Sequence, residues 1–140
     1  MPVNRNEFET LRNLPNKTIE CDIVLQLSKI HTTSKRAEDI VVTNSLGLSI
    51  TLDVTEKPDI PSYTFNFSAA GVGPICRLDI NGTTHGSAGR THKHELHHDN
   101  DPGKNLPTAH ALPNLENATL ETAWRWLCTQ AQIHHDGNIR

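Results

Sequence analysis

Aromatic side chains are scarce in this chain: two tryptophans, one tyrosine and three phenylalanines make up 4% of its 140 residues. A core poor in rings must be assembled from Leu, Ile and Val, and with only 35% hydrophobic residues overall that core is thin. Cysteine is also sparse. Cys21, Cys76 and Cys128 stand far apart with no C-x-x-C pair, which excludes a disulfide framework and a thiolate zinc site and leaves them as small buried hydrophobes. No window approaches the roughly 18 apolar residues of a membrane span. The opening MPVNRNEFET has no apolar run of secretory type, so the expected compartment is the cytoplasm, with no membrane partner. A strong excess of charge is missing too. At a formal −3 the chain exerts no global pull on nucleic acid or anionic lipid, and any RNA contact has to be local. The length suits one core, so residues 1–140 are expected to form a single domain.

Hydrophobic periodicity then divides the chain. Residues 4–14, with Phe8, Leu11 and Leu14 at helical spacing and Pro15 after them, predict a short amphipathic helix. From Thr18 to Lys29 the period changes to two: Ile19, Cys21, Ile23, Leu25 and Leu27 alternate with polar residues, which predicts a long half-buried strand. The polar run 31–39 is expected as a solvated connection. Residues 40–43 and 48–55 predict two more strands, turned by Asn44, Ser45 and Gly47. Beyond Pro58 and Pro61, residues 63–69 alternate around Tyr63, Phe65 and Phe67. Residues 75–81 alternate again, with Cys76, Leu78 and Ile80 on one face and Arg77 with Asp79 on the other. Residues 99–114, broken by three prolines, are expected as a loop with room for a short edge strand. Residues 115–133 give the clearest helix, capped by Asn114 or Asn117 and carrying Leu120, Trp124 and Leu127 inward, with Trp126 off that face. The polar tail from His134 is expected to fray. The fold class that follows is α+β: a mostly antiparallel sheet of five or six strands, a short N-terminal helix and a long C-terminal helix.

What is abundant is histidine, nine in all, and five of them fall in the stretch Arg77 to His98, RLDINGTTHGSAGRTHKHELHH. Asn81-Gly82 opens a connection after the strand, and Thr91 to Leu96 read as the returning strand. In that hairpin Arg77 and Asp79 share one face of the first strand, and His92 and His94 one face of the second. Two imidazoles exchange a proton near neutral pH, an arginine holds a phosphate through its planar fork, and an aspartate fixes an imidazole tautomer. The candidate catalytic set is therefore Arg77, Asp79, His85, His92 and His94, suited to acid/base chemistry on a phosphodiester and needing no cofactor. Two other readings stay open. His92-x-His94 with His85 is a natural zinc-ligand set, and His94-Glu95-Leu96-His97-His98 spells H-E-x-x-H, although glycines before it and Asp101-Pro102-Gly103 after it leave no apolar face for the helix that motif requires. Alternatively the chain is a non-catalytic inhibitory or binding protein of a phage or mobile element, which needs only a surface.

The order Arg77-Leu78-Asp79-Ile80-Asn81, then His85, then His92-x-His94 resembles a signature of uncharacterised small proteins of bacteria and their mobile elements. It is also similar to the R-Y-D-N…H…H-x-H pattern of a family of small toxins from bacterial toxin–antitoxin loci, with Leu78 in place of the tyrosine and Ile80 inserted before the asparagine. The resemblance covers about twenty residues and implies a prokaryotic or phage cytoplasmic protein. It carries over Arg77, Asp79, His85, His92 and His94 as the site. The partners it implies are RNA, or a protein such as an antitoxin or an inhibited host or phage complex.

Overall fold

The computed structural model describes residues 10, 14, 16–27, 34–57, 62–70, 73–81, 92–95 and 108–140, with 92–95 and 108–111 described by their backbone. Its centre is an antiparallel sheet. Strands β2 (Gln26–Leu27), β3 (Lys35–Val42), β4 (Ile50–Lys57), β5 (Ser62–Ala69), β6 (Gly73–Ile80), β7 (His92–Glu95) and β8 (Thr108–Ala111) follow one another in sequence order, each pairing with the next. The helix α1 (Leu120–Ala131) comes after a 3₁₀ turn at Pro113–Leu115. A separate two-stranded parallel pair joins β1 (Lys17–Thr18) to β9 (Ile133–His134). The α+β class with an antiparallel sheet and a C-terminal helix is thus present, with seven sheet strands where five or six were expected. The helix expected over 4–14 lies outside the described residues except Thr10 and Leu14, of which Leu14 is buried.

Alternation builds the sheet. In β4 the residues Ile50, Leu52 and Val54 are buried while Thr51, Asp53 and Thr55 on the other face are half-buried, and β5 repeats this with Phe65, Phe67 and Ala69 against Thr64, Asn66 and Ser68. The apolar face receives α1. Trp124, fully buried, stacks on Phe65 and Phe67 with ring centroids 5.8 and 6.2 Å apart. Ala123, Leu127, Cys128 and Ala131 complete the buried stripe, while Leu120 and Trp126 are only partly buried, as the helical spacing requires for Trp126. The helix begins later than 115 because Asn117 has left-handed backbone geometry, and the cap is Thr119, whose Oγ1 accepts from the Thr122 N–H. The β3–β4 turn is the expected one. Asn44 Oδ1 accepts from the N–H groups of Leu46 and Leu48, and Gly47 takes the positive φ that a side chain resists.

Three sequence expectations are corrected. The segment 31–39 is not all connection, because Lys35 to Asp39 belong to β3, where a bulge sets Glu38 and Asp39 against the single residue Asp53 and the Asp39 N–H donates to Asp53 Oδ1 at 2.8 Å. The alternation from Thr18 to Lys29 is not one strand. It breaks into β1, an isolated bridge at Ile23 and β2, which buries Ile19, Ile23 and Leu25 but leaves Cys21 and Leu27 exposed. The tail does not fray. Ile23 and Leu25 bond to the backbone of Asn138 and Arg140, and the Arg125 guanidinium donates to the carbonyls of His135 and Gly137 at 2.6 and 2.7 Å. No helix among the described residues is long and apolar enough to cross a membrane.

Candidate functional site

The register of β6 against β7 assembles the candidate set. His94 lies opposite Arg77, Lys93 opposite Leu78 and His92 opposite Asp79. Opposed residues of an antiparallel pair share a face, with Cα atoms about 4.5–5.5 Å apart, so four of the five candidates form a two-by-two block on one side of the sheet. The expected pairing of 91–96 with 75–81 therefore holds at its centre. His94 is extended and paired on both sides, to Arg77 of β6 and Ala109 of β8, and Glu95 pairs with Thr108 of β8, so the H-E-x-x-H string does not begin on the helix a zincin site requires. His85, like His97 and His98, lies outside the described residues.

The block belongs to the face turned away from α1. Alternation fixes this, because Cys76, Leu78 and Ile80 of β6 join the buried apolar face and Arg77 and Asp79 take the other. Following the register across the sheet gives two polar rows. One runs Asp53, Asn66, Arg77, His94 from β4 to β7, and the next runs Arg36, Thr55, Thr64, Asp79, His92 from β3 to β7. Asp79 is only 3% exposed. Its Oδ1 accepts from the Thr64 hydroxyl at 2.9 Å, and the Arg77 Nε–H lies 3.3 and 3.2 Å from its two oxygens. A buried carboxylate needs partners of this kind, and their arrangement fixes its orientation on the strand facing His92. Arg77 is half-exposed, so the cation bridges the buried acid and the outside of the face. At the end of β6, Asn81 has a φ of 54° and its amide exchanges hydrogen bonds with Asn117 before α1, which ties the site strand to the helical layer.

Beside Arg77, Asp79, His92 and His94, the register also places Thr64, Asn66 and Arg36 on this face, none of which the sequence singles out. In the sequence Thr64 and Asn66 are ordinary polar positions of a half-buried strand and Arg36 falls in the run expected as a solvated connection, and only the register makes them neighbours of the candidate site. His135, expected to fray, has a structural place. The Trp124 indole N–H donates to its Nδ1 at 2.9 Å, so the ring carries its proton on Nε2, which donates to the Cys21 carbonyl at 2.8 Å. An open cleft of about 270 Å³ beside the end of α1, lined by Asn16, Cys128, Thr129, Gln132, Ile133 and His134, offers less chemistry. Burial pushes the Cys128 thiol up to about 12, which keeps it protonated and unreactive. No family model, curated protein or solved structure matches the chain.

Proposed function

We propose that this protein is a toxin-like, RNA-directed enzyme that cleaves a phosphodiester by acid/base chemistry on the polar face of its sheet. The observation that carries the reading is the β6–β7 register, which sets His92 against the buried Asp79 and His94 against Arg77. His92 takes the proton from a ribose 2′-hydroxyl, and the carboxylate opposite it favours the imidazolium that results. The 2′-oxygen attacks the adjacent phosphorus and the P–O5′ bond breaks. His94 gives its proton to the departing 5′-oxygen, leaving a 2′,3′-cyclic phosphate and a free 5′-hydroxyl. Arg77 faces the charge that builds on the non-bridging phosphate oxygens. Each imidazole ends in the protonation state in which the other began, and exchange with water resets the pair. DNA, lacking the 2′-hydroxyl, is not a substrate.

The test is cleavage of single-stranded RNA by the wild type and by His92→Ala and His94→Ala, with product ends identified and folding followed by circular dichroism. Loss of general acid/base catalysis lowers the rate roughly 10²–10⁴-fold. Cyclic-phosphate ends from the wild type, with both variants folded and inactive, are expected. A folded wild type that leaves RNA intact and is harmless when expressed refutes the enzyme and favours an inhibitory binding protein.

A further inference from the structure

Among the described residues, two half-buried side chains each hold a buried polar atom with no hydrogen-bond partner, Asn66 Oδ1 and Arg36 Nε. Both residues lie on the site's face. Asn66 is directly opposite Arg77, and Arg36 heads the row that passes through Thr55 and Thr64 to Asp79. Buried polar groups are nearly always paired, so two unmatched atoms on the face that carries the candidate site call for a physical reason, and an incoming group that supplies the missing partners is one.

We propose that Asn66 forms a base-recognition subsite beside the cleavage position, selecting a single-stranded nucleotide whose base bears an exocyclic amine. The inference rests on the RNA-cleaving reading above and names the part of the substrate that this row of the sheet takes. Strands are spaced about 4.8 Å apart, so Asn66 lies one strand from Arg77 and two from His94, within a nucleotide's reach of a phosphate held there. On its β4 side the chemistry beside Asn66 is accepting. Asp53, opposite it on β4, already takes the Asp39 N–H on Oδ1, and its carboxylate disfavours a phosphate at this position. Carboxylate and amide oxygens side by side suit the amine of adenine, cytosine or guanine, which uracil lacks. The terminal torsion of an asparagine is soft, so the half-buried amide can turn to meet that donor. Arg36, two strands beyond Thr64, is placed to face the backbone of the neighbouring nucleotide, without regard to its base.

The experiment compares kcat/KM on four short single-stranded RNAs that differ only in the base flanking the cleaved bond, for wild type, Asn66→Leu, Asn66→Ser and Arg36→Met. Wild type should favour A, C and G over U. Asn66→Leu should lower the three amine-bearing substrates about tenfold, to the level of U, and leave U unchanged. Its melting temperature should equal or exceed the wild-type value, because an apolar group replaces an unmatched polar one. If Asn66→Leu does not fold, the smaller Asn66→Ser reads the same preference. Arg36→Met should lower all four substrates alike. A wild type that cleaves RNA, loses cleavage in His94→Ala and keeps its base preference in both Asn66 variants overturns this inference alone. A wild type that cleaves none of the four overturns it together with the enzymatic reading.

Discussion

The contact between Trp124 and His135 can be tested as a coupled pair. The indole is fully buried between the sheet and the tail, edge-on to the imidazole at 5.6 Å, and its N–H has His135 Nδ1 as acceptor. Trp124→Phe keeps a ring on Phe65 and Phe67 but leaves a buried imidazole nitrogen without its donor and opens space where the second ring was. An unmatched buried group costs about 1–3 kcal/mol, and with the lost packing the expected total is about 2–4 kcal/mol. His135→Leu strands the indole N–H instead, at about 1–3 kcal/mol, because the Cys21 carbonyl belongs to an exposed residue that water can serve. In the double variant neither group is left stranded, so the loss should fall short of the sum of the single losses by about 1–2 kcal/mol. Urea unfolding followed by far-ultraviolet circular dichroism measures all four proteins without relying on the altered tryptophan. Additivity within about 0.5 kcal/mol would refute the hydrogen bond as a link between helix and tail.

Four further outcomes follow from the same packing. Gly137→Ala puts a Cβ 2.6 Å from Asp22 Oδ1 and 3.0 Å from His135 Nε2. It should displace the Asp22 carboxylate from the Asn138 N–H and lower stability by about 1–3 kcal/mol in a denaturant melt, and a neutral result would mean that the tail is not held as described. Leu127→Ala, in the buried stripe of α1, should lower stability by about 2–5 kcal/mol, and a loss below about 1 kcal/mol would make the helix peripheral. For thiols, a colourless disulfide reagent should label Cys21 rapidly in the native protein and Cys128 only after unfolding. The raised Cys128 pKa also has a sign. The unfolded thiol ionises first, so this group's contribution to stability is complete below about 9 and is lost as pH rises from there through about 12. Cys128→Ala should therefore show a shallower alkaline loss of stability than wild type, and an equal slope would remove burial as the cause of the shift.

The parts of the fold that were legible are those in which one face of a strand meets the core. Ile50, Leu52 and Val54, then Phe65 and Phe67, then Cys76, Leu78 and Ile80 announce their faces by period two, and the stripe from Ala123 to Ala131 announces a helix. What misled was pairing with distant partners. The Thr18 to Lys29 alternation looks like a sheet strand, but its described partners are mainly the last residues of the chain, met through two-residue ladders and single bridges, and nothing local encodes a partner more than a hundred residues away. Lys35 to Asp39 read as solvent-facing loop because only Ala37 of that run enters the core, and the bulge at Glu38 and Asp39 spoils the remaining alternation. The tail was misjudged for the complementary reason. Several of its anchors are backbone carbonyls, held by Arg125 and by the N–H groups of Ile23 and Leu25, and backbone acceptors leave no trace in side-chain polarity.

The candidate site divides along the same line. Arg77 and Asp79 stand out in sequence because charged residues alternate with Cys76, Leu78 and Ile80, and His92-x-His94 stands out because the second strand must return beside the first. Periodicity assigns a residue to a face, whereas only register assigns it a neighbour, and a slip of one residue would have turned both histidines to the core side. The observed register has Lys93 opposite Leu78 and the histidines opposite the charged pair. Thr64 and Asn66 carry no signal of their own, since a threonine and an asparagine between phenylalanines are what any half-buried strand presents. They gain chemical meaning from the bond that Thr64 makes to Asp79 and from the partner that Asn66 lacks, and both of those facts belong to the sheet as a whole.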